Sequence, residues 1–178
     1  MSLVKGLQRT IIRWMRSKHP ARDKVEIKNF EKIKKVCLLT SLSQTDSPEI
    51  LRQTKALYAK QNKIINMMVY VPSKELPDDL VASDYQVLTK KDLNKIGLLK
   101  KDILNSIKKQ SYDLFICYNP GTTIPLEQAA GFVDALVNVG LKAEKGFEPD
   151  ITIHPKSPGM IHFLETVNNY LQNINKTL

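Results

Sequence analysis

Two clusters of small polar residues have the right composition to grip an anion. Ser41 and Ser43 lie in Thr40-Ser41-Leu42-Ser43-Gln44-Thr45-Asp46, directly after an apolar run. Asn119, Gly121, Thr122 and Thr123 lie in Asn119-Pro120-Gly121-Thr122-Thr123-Ile124-Pro125, directly after another. Hydroxyls, together with backbone amides such as that of Gly121, suit a phosphate or carboxylate when they sit at a helix N-terminus. His154 closes a third apolar run, where an imidazole is placed to act as a general base. The bland reading uses the same residues: small polar side chains close turns and cap helices with no ligand at all. A histidine with no orienting carboxylate is most often a polar loop residue.

Missing motifs narrow the chemistry further. There is no G-x-G-x-x-G and no G-x-x-x-x-G-K-[ST], so the phosphate cradles of dinucleotide and P-loop sites are lacking. A G-x-S-x-G elbow, a C-x-x-C pair and an H-E-x-x-H helix are lacking too. His154 and His162 are separated by Pro155 and Pro158, so they do not share a helix face as metal ligands would. Cys37 and Cys117 sit mid-run in apolar company and read as buried, inert thiols rather than a redox pair. Asp113 precedes the apolar core of its strand and so falls at the edge opposite any chemistry; Asp92 flanks another strand. Asn175-Lys176-Thr177 matches a glycosylation acceptor, which has no use in a cytoplasmic chain. No metal and no cofactor is expected, and the sequence does not decide whether the protein is an enzyme.

The charge is unevenly distributed. The 178 residues carry +9, with an ordinary 42% hydrophobic and 25% charged content. Residues 1–35 hold eleven basic and three acidic side chains, a net +8, and the remainder nets +1. That is a neutral module with a basic arm. Within the arm, residues 3–16 form an amphipathic helix. Leu3, Val4, Leu7, Ile11, Trp14 and Met15 share one side, and Lys5, Arg9, Arg13 and Arg16 the other. Three fates are open to it. It can pack its apolar stripe on its own domain, the commonest outcome. It can lie on an anionic membrane with Trp14 at the interface. It can meet RNA or an acidic partner through its four cations. Nucleic acid ranks last, because the aromatic interleaving of single-strand binders is absent.

Short apolar runs alternate with helix-like stretches along the chain. The runs are 35–39, 64–70, 85–88, 112–117 and 151–153, and the alternation predicts an α/β fold with a parallel sheet covered on both faces. Ser47-Pro48 reads as an N-cap and first helical position. Further helices are predicted over 101–109, 125–138 and 159–175, with Gly140 stopping the one over 125–138. Residues 141–147 read as a short fifth strand. Only Glu148-Pro149 separates it from Ile151, so those two runs are not expected to be parallel neighbours, and one of them becomes an antiparallel edge or leaves the sheet.

The order of elements, with Lys74-Glu75-Leu76-Pro77, Thr89-Lys90-Lys91-Asp92-Leu93-Asn94 and Tyr112-Asp113-Leu114-Phe115-Ile116, resembles an uncharacterised Bacteroidetes family of small proteins, a domain of unknown function. Members of that family often carry an acid just after strand four, where Cys117-Tyr118-Asn119 stands here. Strand four, the helix after it and Leu141 to Phe147 are distantly similar to the N-terminal Rossmann-like half of heptosyltransferase-type glycosyltransferases. That resemblance implies fold and ancestry. It argues against autonomous transfer, because in that superfamily a second domain holds most of the donor.

The reading is therefore a single Rossmann-like, mostly parallel sheet of order 3-2-1-4-5 with helices on both faces, spanning 25–178. Residues 1–24 precede it as a basic amphipathic helix and connector. The expected function is non-catalytic docking, through Lys5, Arg9, Arg13, Arg16 and Trp14, to a membrane surface or protein partner. The expected residence is cytoplasmic, peripheral to the inner membrane. The alternative is a binder of, or enzyme on, a phosphorylated or sugar-nucleotide-like ligand. It would use Ser41, Ser43, Asn119, Gly121, Thr122, Thr123 and His154 at the C-terminal edge of the sheet, where such folds place ligands.

Overall fold

The computed structural model describes residues 3–17, 30–42, 48–77, 80, 82–143 and 147–174. Strands β1 (Lys35–Ser41), β2 (Ile64–Tyr70), β3 (Gln86–Leu88), β4 (Ser111–Tyr118), β5 (Asp134–Gly140) and β6 (Ile151–Thr152) form one sheet of order β3-β2-β1-β4-β5-β6. Every neighbouring pair is parallel. The central strands are buried on both faces, as crossover helices require. The helices are α1 (Leu3–Ser17), α2 (Glu49–Ala59), α3 (Lys101–Lys108), α4 (Ile124–Ala130) and α5 (Met160–Asn173).

Alternation along β1 splits the core. Val36 and Leu38 face α2 and α5, meeting Leu51, Tyr58, Phe163 and Leu164. Cys37 and Leu39 face α3 and α4, meeting Leu104, Ile107, Leu126 and Ala129. Each such large apolar side chain, fully buried, stabilises the fold by about 1.5–3 kcal/mol. The Tyr58 hydroxyl donates to Asn168 Oδ1 at 3.2 Å, joining α2 to α5. At the other end of the sheet, Lys63 Nζ donates to the Phe30 and Ile33 carbonyls and lies 3.9 Å from the Phe30 ring centre. This fastens the 3-10 turn Phe30–Lys32 beneath β1. Asp113 accepts from the Lys34 and Lys35 amides, a structural task at the amino edge. Asp92 closes a capping box with Thr89. Ser47, expected as an N-cap, lies outside the described residues.

One stretch departs from the sequence reading. The helix predicted over 125–138 ends at Ala130, and 134–140 is strand β5. Leu136 and Val137 therefore belong to the sheet, and Gly140 ends a strand. Residues 141–147 are not a strand among the described residues; they begin the crossover to β6, which runs parallel rather than antiparallel. The crossover stays short because it hugs β5: the Asp150 amide donates to Asn138 O, and the Asn138 amide to Asp150 Oδ2. Phe147 plugs it inward, with its ring 5.3 Å from that of Phe115 in an edge-to-face contact. A Cβ on Gly140 would stand 3.0 Å from the Phe147 ring, so glycine is what admits this approach.

Candidate functional site

The two polar loops begin on adjacent strands. β1 and β4 are neighbours, Thr40 is level with Tyr118, and Ser41 and Asn119 leave the sheet side by side. Asn119, the Thr122 hydroxyl and the amides of Thr122 and Thr123 are already engaged. Asn119 is buried; its Oδ1 accepts the Thr123 amide at 2.9 Å, and its carbonyl accepts the Thr122 amide at 3.3 Å. Thr122 takes a positive φ of 51°, and its hydroxyl donates to Gly121 O at 2.7 Å. The amide of Leu42, just past Ser41, donates to Tyr70 O. Asn119, Thr122 and the Thr123 amide thus close a turn that leads into α4. Gly121 is exposed and Thr122 and Thr123 are half-buried. Ser43 lies outside the described residues. His154 follows β6, two strands beyond β4, which puts it about 10 Å to the side of the Asn119 turn. It is exposed, and among the described residues nothing bonds its ring.

The cysteines are core residues. Cys117 is level with Leu39, two positions from Cys37 on the adjacent strand. Strand spacing and rise put their Cα atoms about 8 Å apart, beyond disulfide reach. Burial pushes the Cys37 thiol well above its ordinary value, so it is no nucleophile. Among the described residues no cluster of His, Cys, Asp and Glu has the makings of a metal site.

The second candidate surface is α1. It packs across α4, which is buried at every residue. Arg9 turns into the domain and grips Glu127 with two bonds, Nε to Oε2 at 3.0 Å and Nη2 to Oε1 at 2.6 Å. Glu127 is only 1% exposed. Gln8 Nε2 donates to Ile96 O at 2.6 Å, an approach that Gly97 permits: a Cβ there would lie 2.7 Å from that nitrogen. Ile12 is buried against Leu98 and Ile124. Gln128, next to Glu127, accepts the Leu99 amide at 2.6 Å and points its nitrogen at Met15 Sδ.

The buried side of α1 is therefore the seam between its apolar and basic sides, not the apolar stripe. Val4 and Leu7 stay 57% exposed and Trp14 59% exposed. Lys5 and Arg13 are exposed as well. Arg9, grouped by the helical wheel with the outward cations, is a correction: it is the clamp that holds the helix down. Arg16 lies in the helix, and its side chain is outside the described residues. A signal for this seating was present in the sequence, since Glu127 and Gln128 interrupt an otherwise apolar helix and need partners there.

A family of unknown function, DUF6913, matches residues 8–174. The chain belongs to that family. No curated protein and no solved structure matches it. The span matched to DUF6913 takes in both sides of the α1 seam, Gln8 and Arg9 as well as Glu127 and Gln128, and the whole described sheet.

Proposed function

We propose that this DUF6913 protein is a non-catalytic surface-docking module that binds anionic membrane through the outward ridge of α1. One observation carries the reading: Leu7 and Trp14 stay exposed while the helix that bears them is fixed from another side by Arg9 and Glu127. At 100° per residue Leu7 and Trp14 lie about 20° apart, and Gln8 and Ile12 lie roughly 100° or more away from Leu7. The domain and a membrane therefore take different sides of one helix. On the same wheel Arg13 lies about 100° from Trp14, bordering the ridge on one side, and Lys5 lies on the far side of the helix. Each cation near an anionic surface is worth about 1 kcal/mol. Lys18, Arg22, Lys24 and Lys28 follow in the sequence and add to the same basic segment. Attachment of this kind is weak and reversible. Among the described residues no helix is long and apolar enough to cross a membrane.

Residence in the cytoplasm, a Bacteroidetes source and a heptosyltransferase-like ancestry of the sheet belong to this proposal as well. A transfer reaction does not, because the Asn119 turn uses its own donors.

Co-sedimentation of the full chain with phosphatidylcholine vesicles, with and without phosphatidylglycerol, tests the reading. Binding is expected only with the anionic lipid and should weaken with salt. The fluorescence of Trp14, the single tryptophan, should shift to the blue. Leu7→Ser with Trp14→Ser should abolish sedimentation without lowering the melting temperature. Equal sedimentation with both vesicle types, with neither, or by the double variant would overturn the proposal.

A further inference from the structure

The amino-terminal edge of the sheet holds a cleft of about 300 Å³, lined by Lys35, Ile64, Asn66, Lys109, Gln110, Ser111 and Tyr112. Its walls are the residues between α3 and β4, Lys109 and Gln110, and the first residues of β1, β2 and β4. Register puts Lys35 level with Ile64, and Cys37 level with Asn66. All four therefore face the α3 side of the sheet. Ile64 is left 65% exposed, the most exposed large apolar side chain among the described residues, in a sheet where both faces are ordinarily covered.

The lining has one electrostatic sign. Lys35 and Lys109 both line it, and none of the lining residues is acidic. The nearby carboxylate of Asp113 is spent on the Lys34 and Lys35 amides. The Tyr112 hydroxyl donates to Gln110 Oε1 at 2.5 Å, which occupies that oxygen and leaves the amide nitrogen as a donor. The cleft thus combines two ammonium groups, neutral donors and an apolar floor, at the lower end of the size range of small-molecule sites.

We infer that this cleft binds a small organic anion, a phosphate or carboxylate carried on a flat apolar ring, with the charge between Lys35 and Lys109 and the ring over Ile64. The site lies at the opposite end of the strands from the Asn119 turn and shares no residue with the α1 ridge.

Isothermal titration of the full chain tests this, with phenyl phosphate as the probe and inorganic phosphate as the ringless comparison. Saturable binding of phenyl phosphate is expected, with inorganic phosphate roughly tenfold weaker or worse. Lys35→Ala with Lys109→Ala should weaken phenyl phosphate roughly tenfold or more. Ile64→Ser should erase the preference for the ring. These side chains are exposed, so melting temperatures without probe should not move. No saturable binding, undiminished binding by the double lysine variant, or equal affinity for the two probes would overturn the inference.

Discussion

Glu127 is nearly sealed from water, and the Arg9 guanidinium is its counter-charge. Removing one member of such a pair strands the other charge, at a cost on the order of 3 kcal/mol. Arg9→Ala is expected to lower the melting temperature and speed proteolysis within α1, because lifting the helix rehydrates the carboxylate. Glu127→Gln in the same background should recover most of the loss. A double-mutant cycle read by thermal melting and limited proteolysis checks both. If Arg9→Ala changes neither readout, the clamp contributes nothing. At this scale the sequence was only partly legible. Small polar side chains after β4 were readable as turn-closers, and Asn119 does close one. The role of Arg9 was not readable, because a helical wheel ranks the sides of a helix but does not say which side a domain will meet. The answer lay 118 residues away, in Glu127.

Among the elements, β5 shows how two periodicities can overlap. Leu126, Ala129, Ala130, Val133, Leu136 and Val137 recur at the helical spacing, so the pattern continues smoothly past the true end of α4. Gly131 and Phe132 break the helix, and residues 134–140 pair with β4. The first half of β5 does alternate, but apolar Leu136 takes an exposed place, which hides the alternation in the sequence. The order of the first four strands was legible because turn signals bounded each one. The last two were not, since the described residues of the β5–β6 crossover include no helix and the crossover depends on Phe147 for its anchor. Phe147→Ala is expected to cost about 3–5 kcal/mol, seen as a lower urea midpoint at unchanged slope. A loss under about 1 kcal/mol, below the usual range for a buried aromatic, would show that the crossover does not depend on this ring.

Taken whole, the molecule is set to fail on the alkaline side. Burial raises the phenols of Tyr58, Tyr70 and Tyr85 above their ordinary value, and burial followed by the neighbouring Cys37 pushes Tyr112 up to about 12. The folded chain keeps these protons where the unfolded chain gives them up. Their contribution is full below the unfolded phenol value of about 10 and is lost as pH rises through the folded values. Lys63 works the other way. Burial, then Lys34, lowers its ammonium below the ordinary value, so its contribution grows as pH rises toward that value. Four phenols against this lysine make the net slope negative. Melting temperature measured from roughly pH 8 to pH 12 should fall above about pH 10, and Tyr112→Phe should flatten the fall. A flat profile for the parent protein would contradict the assignment.

The same long reach from Arg9 to Glu127 has a meaning in time. Synthesis runs from the amino end at about 5–20 residues per second, so α1 leaves the ribosome seconds before its clamp has been translated. For that interval every side of the helix is bare, its greasy ridge and its cations alike. A lipid surface or chaperone near the exit tunnel meets α1 before the rest of the fold does.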